Sequence, residues 1–224
     1  MTHHTALQSL LQDRFSCRGF KPDPLPADTI RTILGDAGRV PSWCNAQPWQ
    51  VHVTSGAGTE AFRKVMLEAF DTQAPNTDFD PPKGYSGTRK ERRQICGFQL
   101  YEAVGIARGD REARTAQMRE NYAFFGAPHV ALITSAAELG AYGALDCGGF
   151  ITAFCLSAQA QGVATIPQAA LAYYADTVRA HFEIPEDQLV LAAISFGFED
   201  TAHPANGFRT GRATLDDMVV WHDT

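Results

Sequence analysis

Pro41-Ser-Trp-Cys-Asn45-Ala-Gln47-Pro48-Trp49 joins two segments of different periodicity, and this junction decides the fold class. Before it, Ile30, Ile33, Leu34 and Ala37 recur at one-face helical spacing behind Asp28, a residue able to cap the helix. After it, Gln50–Thr54 sets Val51 and Val53 on one face of a strand. Two prolines stiffen the loop, and Ser42, Asn45 and Gln47 offer donors and acceptors beside two flat tryptophan faces. Such a loop suits a planar heteroaromatic ligand. It equally suits a plain helix-to-strand connection with its tryptophans in the core.

Working outward, the periodicity predicts a first helix over Thr5–Leu11 and, beyond the strand, a helix over Thr59–Phe70. Residues 71–87 carry no period, and two polar, Arg-rich helical segments follow at about Thr88–Val104 and Asp110–Phe125. Pro128 opens a strand, HVALITS. A helix from about Gly143 to Gln161 is apolar nearly all round, with Gly162 as its cap. A short helix, Asp176–Phe182, precedes IPEDQLVLAAISFGF, whose continuous apolar run reads as a central strand buried on both faces. The tail is irregular before a last short helix. The expectation is one α/β (α+β) domain over 1–224, with a helical insertion at about 71–125.

The 224 residues are 45% apolar, enough for a full core. Nineteen Lys and Arg against 25 Asp and Glu give a formal charge of −6 with no long block of one sign, which argues against nucleic-acid or membrane-surface partners. The opening MTHHTALQSLLQDRF lacks the basic start and apolar stretch of a secretory signal. The longest apolar run, Ala144–Ala160, is interrupted by Asp146, Thr152, Ser157 and Gln159, whereas a membrane span needs about 20 apolar residues. A soluble, cytoplasmic protein is expected. Its five scattered cysteines read as reduced thiols, mostly core or pocket-wall residues. Histidines 52 and 129 fall on strands and read as core or sheet-face residues. No H-E-x-x-H or zinc-spaced cluster is present, and no G-x-S-x-G, so neither a metal site nor a hydrolase elbow is expected. Gly56-Ala-Gly58-Thr-Glu-Ala61 matches a dinucleotide fingerprint, but QAPNTDFDPPKG stands where that reading needs a central parallel strand.

Three further stretches could carry chemistry. In Arg14-Phe15-Ser16-Cys-Arg18, two guanidinium forks flank a hydroxyl, a compact anion site or a solvated basic turn. Gly162-Val-Ala-Thr-Ile-Pro-Gln168-Ala169-Ala170 reads as a turn whose small residues let a ligand approach the backbone, or as a plain helix exit. Phe208-Arg209-Thr-Gly-Arg212 adds two arginines near the chain end, where pairing with surface carboxylates is the ordinary reading.

The order of these stretches resembles the nitroreductase family, on the segments RFSCR, PSWCNAQPW, AQAQG, IPEDQLV and FRTGR, between about residues 14 and 215. SWCNAQPW, NYAFFGAP and PQAALA are most similar to its nitrobenzoate-reductase branch. The resemblance implies a mixed central sheet flanked by helices, in an intertwined homodimer with FMN at the interface. It implies an NAD(P)H oxidoreductase that reduces nitroaromatic or similar electron-poor acceptors by ping-pong hydride transfer through flavin N5. Arg14, Phe15, Ser16 and Arg212, with Arg209, would hold the phosphate and ribityl chain, and Arg18 would lie at the pyrimidine edge. Pro41, Ser42, Trp43 and Asn45 would come from the partner subunit. Gln168, Ala169 and Ala170 would present backbone N–H groups, and Asn121 would make a polar contact. No side chain is expected to act as nucleophile or catalytic acid. Reductive dehalogenation or flavin destruction on the same fold, or a flavin-binding module without turnover, are the alternatives.

The insertion contains Tyr85, Phe98, Tyr101, Tyr122, Phe124 and Phe125, and reads as a helical lid that walls the channel and sets acceptor choice, or as a surface excursion packed on itself.

Overall fold

The computed structural model describes residues 2–222. Four strands, β1 (Gln50–Ser55), β2 (His129–Ala136), β3 (Ala164–Gln168) and β4 (Gln188–Gly197), form one sheet in the order β1-β2-β4-β3. Every neighbouring pair is antiparallel. The parallel component of the expected mixed sheet is confined to isolated bridges, one joining Ser16 to Thr165 on β3 and another Asn76 to Tyr174. With β1 paired antiparallel to β2, the Gly56-x-Gly58 turn has no parallel βαβ unit around it, which removes the dinucleotide reading.

Helices α1 (His3–Asp13), α2 (Ala27–Ala37), α3 (Ala57–Thr72), α4 (Gly87–Ala103), α5 (Arg111–Arg119), α6 (Gly140–Ala160), α7 (Ala175–Phe182) and α8 (Leu215–Met218) surround the sheet. Alternation along β2 explains the layering. Val130 and Leu132 join a core with Phe62 and Met66 of α3 and Val178 of α7, while Ala131 and Ile133 join Ile33 of α2 and Phe150 and Phe154 of α6. β4 is the expected central strand and does the same, with Val190 and Ala193 on the first face and Ile194 and Phe196 on the second. His129 is a core residue, its Nε2 accepting the Leu25 amide at 2.9 Å.

Several expectations are corrected. Helix α2 starts behind Pro26, with Asp28 inside its first turn rather than at the cap. The stretch read as a turn after α6 is edge strand β3, entered through Gly162 at φ +70°. The β-branched Thr165 and Ile166 favour extension, and Pro167 is tolerated because an edge strand needs no second ladder bond. Helix α5 stops at Arg119. The chain then turns through Phe124, Phe125 and Gly126, all at positive φ (58°, 52° and 78°). Helix α6 is not enclosed on every side. One stripe, Cys147, Phe150, Phe154, Cys155 and Ala158, is buried, while Tyr142 and Leu145 remain 57% and 68% exposed.

The insertion also divides. Tyr85 and Phe98 are exposed, but Tyr122, Phe124 and Phe125 belong to the core, with Tyr122 stacked on Phe70 at 4.8 Å. These three pack into the core.

Candidate functional site

After α1 the chain extends, and the Cys17 amide donates to Thr165 O at 3.0 Å. Ser16 and Thr165 pair in parallel, and the chain then leaves β3, with Phe20 bridged to Glu199 beyond the end of β4. The other end of the chain returns to the same place. Asn206, 4% exposed, accepts the Arg18 amide through Oδ1 at 2.7 Å, and its Nδ2 donates to Gly19 O and Asp200 O, both at 2.9 Å. Arg209 Nη1 donates to Asn206 O at 2.8 Å, and its guanidinium carbon lies 3.7 Å from the Phe15 ring centre. Gly19 is obligatory in this clasp, since a Cβ there would stand 2.3 Å from Cγ of His203.

The result is a cleft of about 210 Å³ lined by Arg14, Phe15, Ser16, Arg18, Arg209 and Arg212, together with Leu11, Gln12, Cys96, Phe208 and Thr210. No acidic residue lines it, although the chain carries net negative charge. Among the described residues, the ion pairs involve Arg63, Arg119 and Arg179, and none of the four cleft arginines has a carboxylate partner. Burial lowers the Arg18 guanidinium from its ordinary value, and its Nη1 donates only to the Ser16 carbonyl at 3.2 Å. Four cations held together without counter-charge make the cleft positive, and guanidinium forks are of the geometry that suits phosphate oxygens.

Gln168 ends β3, and its side chain is 3% exposed and turned inward. Nε2 donates to Asn121 O at 2.9 Å, and Oε1 accepts from Ser195 Oγ. Asn121 and Gln168 are therefore adjacent, and Ala169 and Ala170 follow in a 3-10 turn. Pro41, Ser42, Trp43 and Asn45 lie elsewhere. Their loop rests on α6, where the Trp43 amide donates to Asp146 Oδ2 at 2.9 Å and its ring meets Tyr142 at 4.6 Å. Trp43 is exposed, whereas Trp49 is half-buried and stacks on Phe150 against the core. A second cleft of about 210 Å³ lies between this loop and α6, sharing no lining residue with the arginine cleft.

Sequence reasoning missed Asn206, Cys96 and Gln99. The Pro-Ala-Asn206-Gly turn beside FRTGR was a usable local signal for the first. Nothing near Cys96 or Gln99 announces that α4 packs against the tail, where Gln99 Nε2 reaches Arg209 O at 3.5 Å.

An α/β protein with helices on both faces of an antiparallel sheet and an acid-free arginine cleft closed by its two chain ends defines the class. The chain belongs to the nitroreductase family, whose profile matches residues 11–198. It is 37% identical to nitroreductase NfnB of Mycolicibacterium smegmatis over 215 residues, 96% of this chain and 92% of that protein. It is 32% identical to a 4-nitrobenzoate reductase of Nocardioides sp., covering 97% and 91% of the two chains. The crystal structure of the FMN-dependent nitroreductase NfnB from Mycobacterium smegmatis in complex with NADPH superposes with a TM-score of 0.94 at 36% identity, covering 99% of this chain and 100% of that one.

Proposed function

We propose that the protein is an FMN-dependent NAD(P)H oxidoreductase that reduces nitroaromatic acceptors of the nitrobenzoate class, as a soluble, cytoplasmic homodimer. The carrying observation is the convergence of Arg14, Arg18, Arg209 and Arg212 with Ser16 on a cleft that contains no acid. That donor set fits a phosphorylated flavin: Arg14, Arg209, Arg212 and Ser16 would hold the phosphate and ribityl chain, and the Phe15 ring lies under the Arg209 guanidinium.

When bound, FMN supplies two-electron hydride chemistry, alternating between the nicotinamide donor and the acceptor. The chain binds, orients and excludes water. Arg18, partly withdrawn from water, would oppose negative charge on the ring system, and a fixed cation acts most strongly where water is scarce. The Ala169 and Ala170 amides and the polar group of Asn121 would orient the ring.

The partner subunit supplies Pro41, Ser42, Trp43 and Asn45. Support comes from the uncovered apolar side of α6 and the exposed Trp43 above it, an apolar surface of the kind a second copy covers. Anaerobic titration of the FMN-reconstituted protein with NADPH and NADH, followed by a nitrobenzoate panel, tests the reading. Bleaching of the flavin and formation of hydroxylamine products are expected. A protein that takes up no FMN refutes it.

A further inference from the structure

The Gln168 carboxamide has a fixed orientation. Gln168 pairs with Ala193 in the sheet, so Ser195 is its diagonal neighbour on the same face, and the side chain spans that diagonal to accept from Ser195 Oγ. Its other end donates to Asn121 O at 2.9 Å and lies 3.4 Å from Asn121 Oδ1. A flipped amide would set oxygen against two oxygens, so only one orientation satisfies both ends.

Asn121 starts the strained turn through Phe124, Phe125 and Gly126. That turn is held from two other directions. Arg63 of α3 donates to Ala123 O at 3.0 Å and Ala127 O at 2.6 Å, and Phe125 O accepts the Phe20 amide at 3.3 Å, two residues beyond Arg18. The Gln168 side chain thus joins the central strand β4, the strained turn and the exit of β3.

We propose that Gln168 is a positioning residue, fixing the β3 exit at Ala169 and Ala170 relative to Arg18, so that it governs the redox end of the bound ring and not its phosphate anchor. This rests on the FMN reading above. The phosphate anchors, Arg14, Arg209 and Arg212, make no hydrogen bond to Gln168, Asn121 or Ser195, so the two functions are separable.

Gln168→Leu keeps the side-chain bulk and removes both bonds; Ser195→Ala frees only the oxygen end. Three quantities are measured on the full chain: FMN affinity, the rate of flavin bleaching by saturating NADPH, and hydrogen exchange of amides 169–173 with and without FMN. In Gln168→Leu, bleaching should slow about tenfold or more and exchange quicken by about the same factor, the effect of losing two buried hydrogen bonds, while FMN affinity stays within about threefold. Ser195→Ala should move rate and exchange the same way by about threefold, and carries the test if Gln168→Leu does not fold. Wild-type bleaching and exchange in the folded variant, or affinity falling in step with rate, overturns the proposal. A wild-type chain that takes up no FMN overturns the functional reading instead.

Discussion

The guanidinium of Arg209 lies 3.7 Å from the centre of the Phe15 ring, which ties the tail of the chain to the segment that follows its first helix. The contact clamps one wall of the arginine cleft, and a second bond from Arg209 to Asn206 O holds the same side chain from behind. Replacing Arg209 by Ala removes a cation–π contact worth about 0.5–2 kcal/mol together with that bond. FMN affinity should fall about tenfold or more by this reasoning. Arg209→Lys should restore only part of it, because an ammonium cannot stack on the ring as a planar fork does. Flavin fluorescence titration of the two variants checks the order.

Arg14 and Arg18 share the cleft but differ in expected role. Arg14→Ala should lose flavin, since one charge-assisted bond contributes about 1.5–3 kcal/mol. Arg18→Ala should keep its flavin and be reduced about 100-fold more slowly, the usual scale for removing a fixed electrostatic partner from a desolvated site. Stopped-flow bleaching with NADPH separates them. A normal reduction rate in Arg18→Ala would remove the electrostatic role given to it.

Acceptor choice should respond to the exposed aromatics of the insertion and not to the buried ones. Tyr122 packs between Phe70 and Tyr174, so Tyr122→Ala should cost about 3–5 kcal/mol of stability. Phe98 is exposed on α4, and Phe98→Ala should leave the melting temperature within a few degrees while changing the ranking of nitroaromatic substrates. Melting curves and a substrate panel on both variants decide; an unchanged ranking in Phe98→Ala counts against any lid.

Alkaline pH should destabilise the protein through its buried thiols. Burial pushes Cys17 and Cys147 from an ordinary 9.0 up to about 11. Below pH 9 both states hold these protons and the thiols add no pH dependence. Between about pH 9 and 11 the unfolded chain releases them and the folded chain does not, so stability falls as pH rises. The loss approaches roughly 2–3 kcal/mol per thiol. Urea denaturation between pH 8 and 11 should show this slope, and Cys17→Ala should flatten it.

Much of the architecture was legible from local pattern. Periods of 3.6 and 2 located most helices and strands, because each element must turn an apolar stripe or face to a common core. The side-chain chemistry of Arg14, Ser16, Arg18, Arg209 and Arg212 was likewise readable, since a fork and a hydroxyl suit phosphate wherever they stand. Whether these groups act together was not a local property. Asn206 and the Phe15 ring bring the chain ends together only because β3 lies at the sheet edge beside residues 16 and 17, an outcome of the order β1-β2-β4-β3. The same holds for what looked apolar without direction. Helix α6 covers one stripe and leaves another open, and Tyr122 and Phe125 go to the core where composition suggested a lid. Periodicity records which side of an element avoids water. Only the packed chain determines what meets that side, because the partners are distant in sequence and are chosen by sheet order.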